Sequence, residues 1–352
     1  MFLQIHPTRS EALTASETTL TRWSLTTNPA TILTQISTAP GTLFDIVIDP
    51  GGRMLTFGGI TRTPDGEFFA LQQPQTRLPS PKGSCIIEWR RWNDLLPERT
   101  VIVPQATCSI TSMDSSPNGR WLVIDNDDHL FLLDWHTGEV ISRHFSNGYA
   151  TSGLAFDPTS TFVAGLSFAD GGGGLGLWRL DPEERFVPRP EREEWPSHKR
   201  VPQDYVDGSV ALTLVHEDLD RTNIAWNRDL ADTACATTFS PDSRIVIFSL
   251  NSSYSQCGIE LVAYEVLSGR RLWYARSEQE GSGACAFTPD GLLLLVPVQG
   301  SELLVYSAQY GTLLQRLQAG CDEPVQALAF DHHGTTLWLA GETALWQYQA
   351  QS

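Results

Sequence analysis

Short apolar runs separated by turn-forming residues make up most of the chain. The segments RWLVID at 120–125, TFVAGL at 161–166 and RIVIFSL at 244–250 are examples, and Pro, Gly, Asn and Asp separate such runs. Short apolar runs bounded by these residues predict β-strands. Helical spacing of apolar positions is sustained only near 209–220. We therefore predict an all-β chain. Residues 209–220 are the one stretch whose apolar spacing also fits a helix.

A turn motif recurs seven times between these runs. Each copy has an apolar residue, a small or polar residue, usually proline, and then a turn pair. The copies are IHPTR from Ile5, IDPGG from Ile48, SSPNG from Ser115, FDPTS from Phe156, FSPDS from Phe239, FTPDG from Phe287 and FDHHG from Phe330. Proline presets φ for a turn, and the Asp, Asn or Gly that follows tolerates the next position. Each copy therefore predicts the turn between the first and second strands of one structural unit.

A second landmark, aromatic in six units and aliphatic in one, follows each turn in a strand-like run. The seven landmarks are Trp23, Trp89, Leu133, Trp178, Tyr264, Tyr306 and Trp346. Uninterrupted spacings between them are 40 to 45 residues, which is the length of a four-stranded propeller blade. A further turn, as in HTGE at 136–139, leads to an outer strand. One such unit cannot bury both faces, so the units are predicted to stack in a ring that protects the sheet edges.

This order of strand, SPDG-like turn, strand, LW-plus-acid strand and TG turn resembles the WD-repeat β-propeller family over almost the whole chain. Asp134 stands where the family has its WD aspartate, and Gly138 stands where it has its TG glycine. The Gly-His pair that precedes the first strand in the family is missing from every unit, so the family's buried Asp-His-Ser/Thr-Trp network is not implied. The predicted fold is a seven-bladed β-propeller of four-stranded antiparallel sheets.

We predict a single domain over residues 1–352, with two interruptions and an incomplete last unit. Only six residues follow Trp346, so the last unit lacks an outer strand. In the favoured arrangement, residues 2–6 form the first strand of unit one and the last blade has three strands. In the alternative, residues 2–6 act as the outer strand that closes the ring.

Two intervals between landmarks are too long for a simple blade. They place insertions near 60–83, between the second and third strands of unit two, and near 188–230, between units four and five. In an antiparallel meander these two kinds of connection emerge on the same side of the ring. Both insertions are therefore predicted to decorate one face.

The insertions supply the candidate partner-binding residues, because loops on a rigid scaffold commonly carry the binding groups. The larger insertion contains Trp195, Arg200, Tyr205 and Trp226, and the smaller one contains Phe68 and Phe69. Aromatic and arginine side chains are frequent anchors of protein interfaces. In the competing interpretation, the aromatic residues only fold the insertions back onto the blade edges.

Composition narrows the classes of partner. The net charge is −17, and the only lysines are Lys82 and Lys199, which disfavours nucleic acid. No run of 18 apolar residues and no export signal occurs, so we expect a cytoplasmic protein that does not contact a membrane. The six cysteines form no CxxC pair and are expected to pack in the core. Proteins are therefore the predicted partners, and the chain is expected to be a monomer or a subunit of a larger complex.

Motifs for catalysis, cofactors and metals are missing from the sequence. No GxSxG elbow, Walker loop or HExxH helix occurs. Asp125, Asp127 and Asp128 could bind calcium, but an acidic turn between strands explains them. The predicted function is therefore a non-catalytic interaction scaffold without a catalytic, cofactor or metal residue. The alternative is a propeller hydrolase or lactonase, which requires carboxylates, or a histidine beside carboxylates, to converge at the mouth of the central channel.

Overall fold

The computed structural model describes residues 2–16, 19–37, 46–48, 54–58, 60–62, 68–70, 85–103, 112–126, 129–145, 150–169, 172–181, 205–206, 211–216, 235–252, 258–331 and 333–348. These residues form β-strands and connecting turns, as the apolar pattern predicts. No helix in this part of the chain has the length and hydropathy that a membrane span requires.

The strands assemble into six sheets of four or five strands, which we call blades 1 to 6, a C-terminal sheet of three strands and one separate hairpin. Blade 1 contains β1 (Phe2–Ile5), β2 (Glu11–Ala15), β3 (Thr19–Ser24) and β4 (Thr31–Ser37). Blade 2 contains β5 (Ile46–Ile48), β6 (Met54–Gly58), β9 (Cys85–Arg91) and β10 (Pro97–Val103), and the hairpin is β7 (Ile60–Arg62) with β8 (Phe68–Ala70). Blade 3 contains β11 (Ser112–Ser115), β12 (Trp121–Asn126), β13 (His129–Asp134), β14 (Val140–Phe145) and β18 (Tyr205–Val206).

The second half of the ring follows the same plan. Blade 4 contains β15 (Ala150–Phe156), β16 (Phe162–Ala169), β17 (Gly172–Asp181) and β19 (Ala211–His216). Blade 5 contains β20 (Cys235–Phe239), β21 (Ile245–Ser252), β22 (Gly258–Glu265) and β23 (Arg271–Arg276). Blade 6 contains β24 (Ala286–Phe287), β25 (Leu293–Val298), β26 (Glu302–Ser307) and β27 (Leu313–Gln318). The C-terminal sheet contains β28 (Ala327–Phe330), β29 (Leu337–Ala340) and β30 (Leu345–Tyr348).

The sheets are arranged as a β-propeller. Neighbouring strands within a sheet run antiparallel, as β12 and β13 do with Leu122 opposite Leu133. The first strands contact one another in chain order, from β1 through β5, β11, β15, β20 and β24 to β28, and β28 contacts β1 again. The chain therefore travels once around a common axis, with the first strand of each sheet innermost.

The first landmark of each unit is the last residue of a first strand, as predicted. In each unit, the residue of the second strand that pairs with the first landmark also pairs with one residue of the third strand. We call these three residues a register row. The rows are Ile5, Ala12 and Trp23; Ile48, Leu55 and Arg90; Ser115, Leu122 and Leu133; Phe156, Val163 and Trp178; Phe239, Val246 and Tyr264; Phe287, Leu294 and Tyr306; and Phe330, Leu337 and Tyr348.

Two of the predicted third-strand landmarks lie in their third strands, but their place in the register row needs correction. In blade 2 the row ends at Arg90 instead of Trp89, and in the C-terminal sheet it ends at Tyr348 instead of Trp346. The turns support the first correction, because Leu95, with φ of 61°, lies five residues after Arg90, just as Gly138, with φ of 69°, lies five residues after Leu133. A shift of one residue moves a side chain to the opposite face of a strand. Trp89 nevertheless packs between neighbouring blades, because it is fully buried in the cluster of blades 1 to 3 and its ring meets that of Trp135 edge-on.

Arg90 brings a charge into a position that other blades fill with apolar or aromatic side chains. Its Nη2 donates to Glu88 Oε2 at 2.6 Å, and its Nη1 donates to the carbonyl oxygen of Leu95 at 2.6 Å. Both charged side chains are 4% exposed. Burial lowers the pKa of the Arg90 guanidinium, and the nearby Glu88 carboxylate opposes that change. The pair therefore keeps two charges satisfied inside the blade.

The first turns are held by the side chain that follows each first landmark. Backbone N–H groups donate to Ser116 Oγ from Trp121 at 2.8 Å, and to Ser240 Oγ from Ile245 at 2.9 Å. The same bond links Leu293 N to Thr288 Oγ1 at 3.0 Å. A short hydroxyl or carboxyl side chain at this position can satisfy turn N–H groups locally. This explains why the small or polar second residue recurs in the motif.

The core lies between neighbouring sheets. One buried cluster joins blades 1, 2 and 3 through residues such as Leu20, Ile87 and Phe131. Four others join blades 3 and 4, 4 and 5, 5 and 6, and blade 6 and the C-terminal sheet. The last joins the C-terminal sheet to blade 1 through Trp338 and Trp23. Because each cluster draws on more than one sheet, burial of apolar surface stabilises the ring as a whole.

A β-bulge occurs between the third and fourth strands of each of the six blades, always next to the third-strand end of the register row. In each case the outer strand carries one extra residue. These residues are Leu33, Glu98, Ile141, Val215, Leu272 and Leu314. A bulge bends its strand and increases the local twist.

Ring closure follows the favoured arrangement. Strand β1 pairs with β2 as the first strand of blade 1, so the alternative in which residues 2–6 form an outer closing strand is wrong. The C-terminal sheet has three strands within the described residues. The turn between β3 and β4 reaches β30, where Ala30 N donates to the carbonyl oxygen of Leu345 at 2.8 Å.

Candidate functional site

The larger insertion is interrupted by strands that the sequence did not indicate. Strand β19, at 211–216, pairs with β17 as the outer strand of blade 4, so the helix considered near 209–220 is wrong. Strand β18 pairs with β14, which adds a fifth strand to blade 3. The stretch 188–230 is therefore not one connection between blades, because the chain first visits the outer edge of blade 3 and then completes blade 4.

The described strands that flank the insertions show which strands each insertion connects. Residues 63–67 and 71–84 lie between the second and third strands of blade 2, and residues 217–234 connect blade 4 to blade 5. In an antiparallel meander these connections share one face. Residues 182–204 instead follow the third strand of blade 4, at the opposite end of the strands. Residues 63–67, 71–84, 182–204 and 217–234 themselves lie outside the described residues, so the decoration of a single face by both insertions stays a prediction.

The six predicted partner-binding residues have different positions in the fold. Trp195, Arg200 and Trp226 lie outside the described residues. Tyr205 lies in β18, opposite Arg143 of β14, at the outer edge of blade 3. Phe68 and Phe69 lie in β8, whose only sheet partner in the described part is β7. No described sheet joins Tyr205 to Phe68 or Phe69.

The wall of the central channel contains a set of hydrogen bonds between blades. Leu154 N donates to Ser112 Oγ at 2.9 Å, and Ser115 Oγ donates to the carbonyl oxygen of Ile48 at 3.1 Å. Strand β11 of blade 3 is thereby joined to the first strands of both neighbouring blades. These side chains fix the relative positions of three inner strands.

Asp114 takes part in the same contacts. Its Oδ2 accepts from Phe156 N at 2.6 Å, and its Oδ1 accepts from Ser115 N at 2.8 Å. Burial raises the pKa of the Asp114 carboxyl to about 7, against the opposing effect of these two N–H donors. Asp114 is the only carboxylic acid in the described first strands, and no group of three His, Cys, Asp or Glu residues suited to a metal occurs in the part of the chain that the structure covers.

Two free cysteines in the described part of the chain, Cys285 and Cys321, pack as small apolar groups. Cys285 lies against the cluster between blades 5 and 6, and Cys321 lies against the cluster between blade 6 and the C-terminal sheet. Burial raises the pKa of the Cys285 thiol to about 12. At neutral pH this thiol is protonated and therefore a poor nucleophile.

A groove of about 710 Å³ opens at the rim between blades 5 and 6. We call it the rim groove. Blade 5 and the segment after it contribute Tyr274, Ala275, Arg276, Ser277, Glu278 and Gln279, and blade 6 contributes Tyr306, Gly311, Leu313 and Arg316. Its volume lies in the range of binding sites, roughly 300 to 1,000 Å³. No sequence pattern signals this groove, because its two sides are brought together only by the stacking of blades.

The polar end of the rim groove is built around Glu302. Gln279 Nε2 donates to Glu302 Oε2 at 3.2 Å, and Gln318 Nε2 donates to Glu302 Oε1 at 2.9 Å. Arg316 Nη1 lies 3.7 Å from Glu302 Oε2 and donates to Gln279 Oε1 at 2.5 Å. These bonds hold the Arg316 guanidinium in a defined position at the groove.

Comparison with solved structures identifies the fold. The chain is similar to the crystal structure of the β-propeller domain of Cps50 (Swd1) from Myceliophteria thermophila, with a TM-score of 0.62 and 11% sequence identity, over 99% of this chain and 95% of that one. No protein-family model and no curated protein sequence matches the chain. At this identity the likeness concerns the fold. The resemblance to a divergent WD-repeat β-propeller is therefore confirmed at the level of the fold.

Proposed function

We propose that this protein is a non-catalytic scaffold that binds protein partners through loops and edges of a rigid propeller. The observation that carries the proposal is the combination of a closed ring of packed sheets with long insertions at blades 2 and 4. A ring held by clusters between sheets is a rigid support, and loops on such a support are the usual place for binding residues. The WD-repeat resemblance points to the same class of function.

The ring of the proposal has seven blades, the last with three strands. The closed circuit of first strands supports this count, because β28 occupies the step between β24 and β1. The C-terminal sheet also packs on blade 6 and on blade 1 through two buried clusters. We further propose that the protein works in the cytoplasm, as a monomer or as a subunit of a larger complex.

Trp195, Arg200, Tyr205, Trp226, Phe68 and Phe69 remain the proposed partner-binding residues. The topology supports two separate binding areas, because residues 182–204 leave blade 4 at the end opposite to residues 63–67, 71–84 and 217–234. Tyr205 belongs to the first area through β18. Phe68, Phe69 and Trp226 belong to the second.

Affinity purification from the native cell, followed by mass spectrometry, tests the scaffold proposal. One variant replaces residues 182–204 with a Gly-Ser linker, and a second replaces residues 217–234 in the same way. Both keep β18 and β19, since a deletion that removed β19 would take away the outer strand of blade 4. We expect each variant to keep its β-sheet circular dichroism spectrum and to lose a distinct set of captured proteins.

Point variants provide a control that does not alter chain length. Trp195→Ala with Arg200→Ala is expected to reproduce the losses of the first linker variant, and Trp226→Ala those of the second. If both linker variants capture the same proteins as the unchanged chain, these segments do not bind partners. The hydrolase or lactonase alternative receives no support from Asp114, because one carboxyl lacks the second group that general acid-base chemistry at a glycosidic, ester or lactone bond requires.

A further inference from the structure

The outer edge of blade 3 carries a short strand that comes from a later part of the chain. Strand β18 has two residues, and it pairs with β14 through Val206 opposite Ser142 and Tyr205 opposite Arg143. Strand β14 itself has six residues. Among the described sheets, only blade 3 has a strand beyond its fourth. This edge therefore accepts an antiparallel strand, and β18 pairs with only part of it.

The sequence around β18 explains why this strand is short. Asp204 precedes it, and Asp207 and Gly208 follow it. Aspartate and glycine are depleted in strands, and an Asp-Gly pair favours a turn. A strand of two residues makes few backbone hydrogen bonds, and segments held by few contacts open at a low cost in free energy. Strand β18 is therefore a cover that another strand can displace from β14.

A buried hydroxyl group at this edge has no hydrogen-bond partner. Ser142 is 2% exposed, and its Oγ makes no hydrogen bond within the described part of the chain. Ser142 pairs with Leu132, a member of the buried cluster between blades 3 and 4, so its side chain lies on that face of the sheet. Buried hydroxyl groups normally have a partner, but the residue opposite Ser142 is a valine, which has no group to supply. Strand β18 therefore leaves one hydrogen bond unmade.

We propose that the outer edge of blade 3 binds an extended segment of a protein partner, which displaces β18, pairs antiparallel with β14 and places a threonine or serine opposite Ser142. An added strand gains affinity from main-chain hydrogen bonds and specificity from its alternate side chains. A partner segment as long as β14 makes more of these bonds than β18 does, and a hydroxyl directly opposite Ser142 lies within reach of its Oγ. Without the partner, β18 covers an edge that would otherwise pair with other chains. The inference rests on the proposed scaffold function and assigns a partner chemistry to one edge of the propeller.

Fluorescence anisotropy with the full chain tests the proposal. The probe is the fluorescein-labelled peptide Thr-Val-Tyr-Thr-Val-Thr with an amidated C-terminus, whose fourth residue falls opposite Ser142 in the register of β18. One control peptide has valine at the fourth position, and a second is N-methylated at its third and fourth residues. We expect the threonine peptide to bind about fivefold more tightly than the valine peptide, and the methylated peptide not to bind. Equal binding of the threonine and valine peptides, or binding of the methylated peptide, would overturn the proposal.

A serine variant assigns the preference for threonine to one hydroxyl group. Ser142→Ala is expected to bind the threonine and valine peptides equally, because the group that distinguishes them is gone. The matched control is Ser249→Ala in β21 of blade 5, where the hydroxyl is also buried and without a hydrogen-bond partner in the described part of the chain. This control is expected to keep the fivefold preference. A preference that survives in Ser142→Ala would contradict the proposed contact.

A second pair of variants tests whether β18 competes with the peptide. Tyr205→Pro with Val206→Pro removes both backbone N–H groups of β18, whereas Tyr205→Ala with Val206→Ala keeps them. We expect the proline variant to bind the threonine peptide about tenfold more tightly than the alanine variant, because no strand then has to be displaced. Equal affinities would mean that β18 does not cover the binding site. A proline variant that dimerises in sedimentation and does not bind the peptide would assign the edge to a second copy of the chain and would also refute the proposal.

Hydrogen exchange with mass spectrometry locates the bound peptide. The threonine peptide is expected to protect the amides of residues 140–145 and to leave residues 313–318, the outer strand of blade 6, unchanged. Equal protection of the two strands would show that the peptide adds to any outer edge, against a site specific to blade 3. Partner capture is measured in the linker variants of residues 182–204 and 217–234, which keep β18, so the two proposals can fail separately.

Discussion

Asn28 and Gln347 exchange two hydrogen bonds across the junction where the ring closes. Gln347 N donates to Asn28 Oδ1 at 3.1 Å, and Asn28 Nδ2 donates to the carbonyl oxygen of Gln347 at 3.4 Å. The amide side chain therefore pairs with β30 as the backbone of a fourth strand would. Together with the bond from Ala30 N to Leu345, it satisfies three polar groups on the outer edge of the C-terminal sheet. Within the described residues, a turn of blade 1 thus occupies the edge where a fourth strand would pair.

We expect Asn28→Ala to lower the free energy of unfolding by about 1 kcal/mol, because both bonds to Gln347 are lost at an exposed site. Urea denaturation followed by tryptophan fluorescence measures the change. Asn93→Ala, at an exposed turn position of blade 2, is the matched control and is expected to change stability by less than about 0.5 kcal/mol. Equal effects of the two substitutions would mean that the Asn28 contact does not stabilise the closure.

Gly311→Ala is expected to destabilise the protein by about 2 to 4 kcal/mol. Gly311 has φ of 65°, and an added Cβ would lie 2.5 Å from the ring of Trp273. Both the left-handed backbone and the displaced tryptophan contribute to the loss. Gly320→Ala separates the two causes, because Gly320 has φ of 70° but nothing within 4 Å of the added Cβ. This control is expected to cost about 1 kcal/mol in thermal or urea denaturation. If both variants lost the same stability, the Trp273 contact would have no part in it.

Stability between pH 5 and pH 8 depends on Asp114. The pKa of its carboxyl is about 7 in the folded chain and about 3.9 in an unfolded one. Because the folded state binds the proton more tightly, this group favours folding at low pH, and the contribution is lost as the pH rises toward and through 7. We expect the unchanged chain to lose about 2 to 3 kcal/mol between pH 5 and pH 8 through this group.

Asp114→Asn removes that titration. The variant is expected to show a flatter dependence of unfolding free energy on pH over the same interval, whatever its absolute stability. Asp242, Asp290 and Asp331 do not obscure the comparison, because their pKa values are lowered and they are already ionised at pH 5. Parallel curves for the two proteins would show that Asp114 does not titrate in this range.

Removing one member of the Glu88 and Arg90 pair should be far more costly than removing both. Arg90→Met leaves the Glu88 carboxylate buried without its partner, and we expect a loss of about 3 to 5 kcal/mol. The double variant Glu88→Leu with Arg90→Met replaces the pair by apolar side chains and is expected to recover most of that loss. Urea denaturation of the two variants measures the difference. A double variant as unstable as the single one would contradict this account of the pair.

The sequence carries most of the information on strand order and little on the surface. Each turn motif follows a strand whose last residue is the predicted landmark, because proline and the following turn pair act locally. The Arg90 position was missed because a paired charge at a site between blades cannot be recognised from hydrophobicity. Strand β19 was missed because its sequence, ALTLVH, also fits a short helical pattern, and only pairing with β17 selects the strand. The rim groove was missed because Tyr306 and Tyr274 come from blades whose contact depends on the whole ring.

The bulges of the outer strands have a consequence for the protein in concentrated solution. An outermost strand with apolar residues, such as Leu33 and Leu314 at 45% and 57% exposure, would be a template for another molecule to add a strand if it were flat. Both residues are the extra residues of bulges, so the edge is bent and twisted at the very place where it is most apolar. Straightening such an edge by deleting Leu314 would favour intermolecular β-pairing and fibrous aggregation, even in a ring that stays folded.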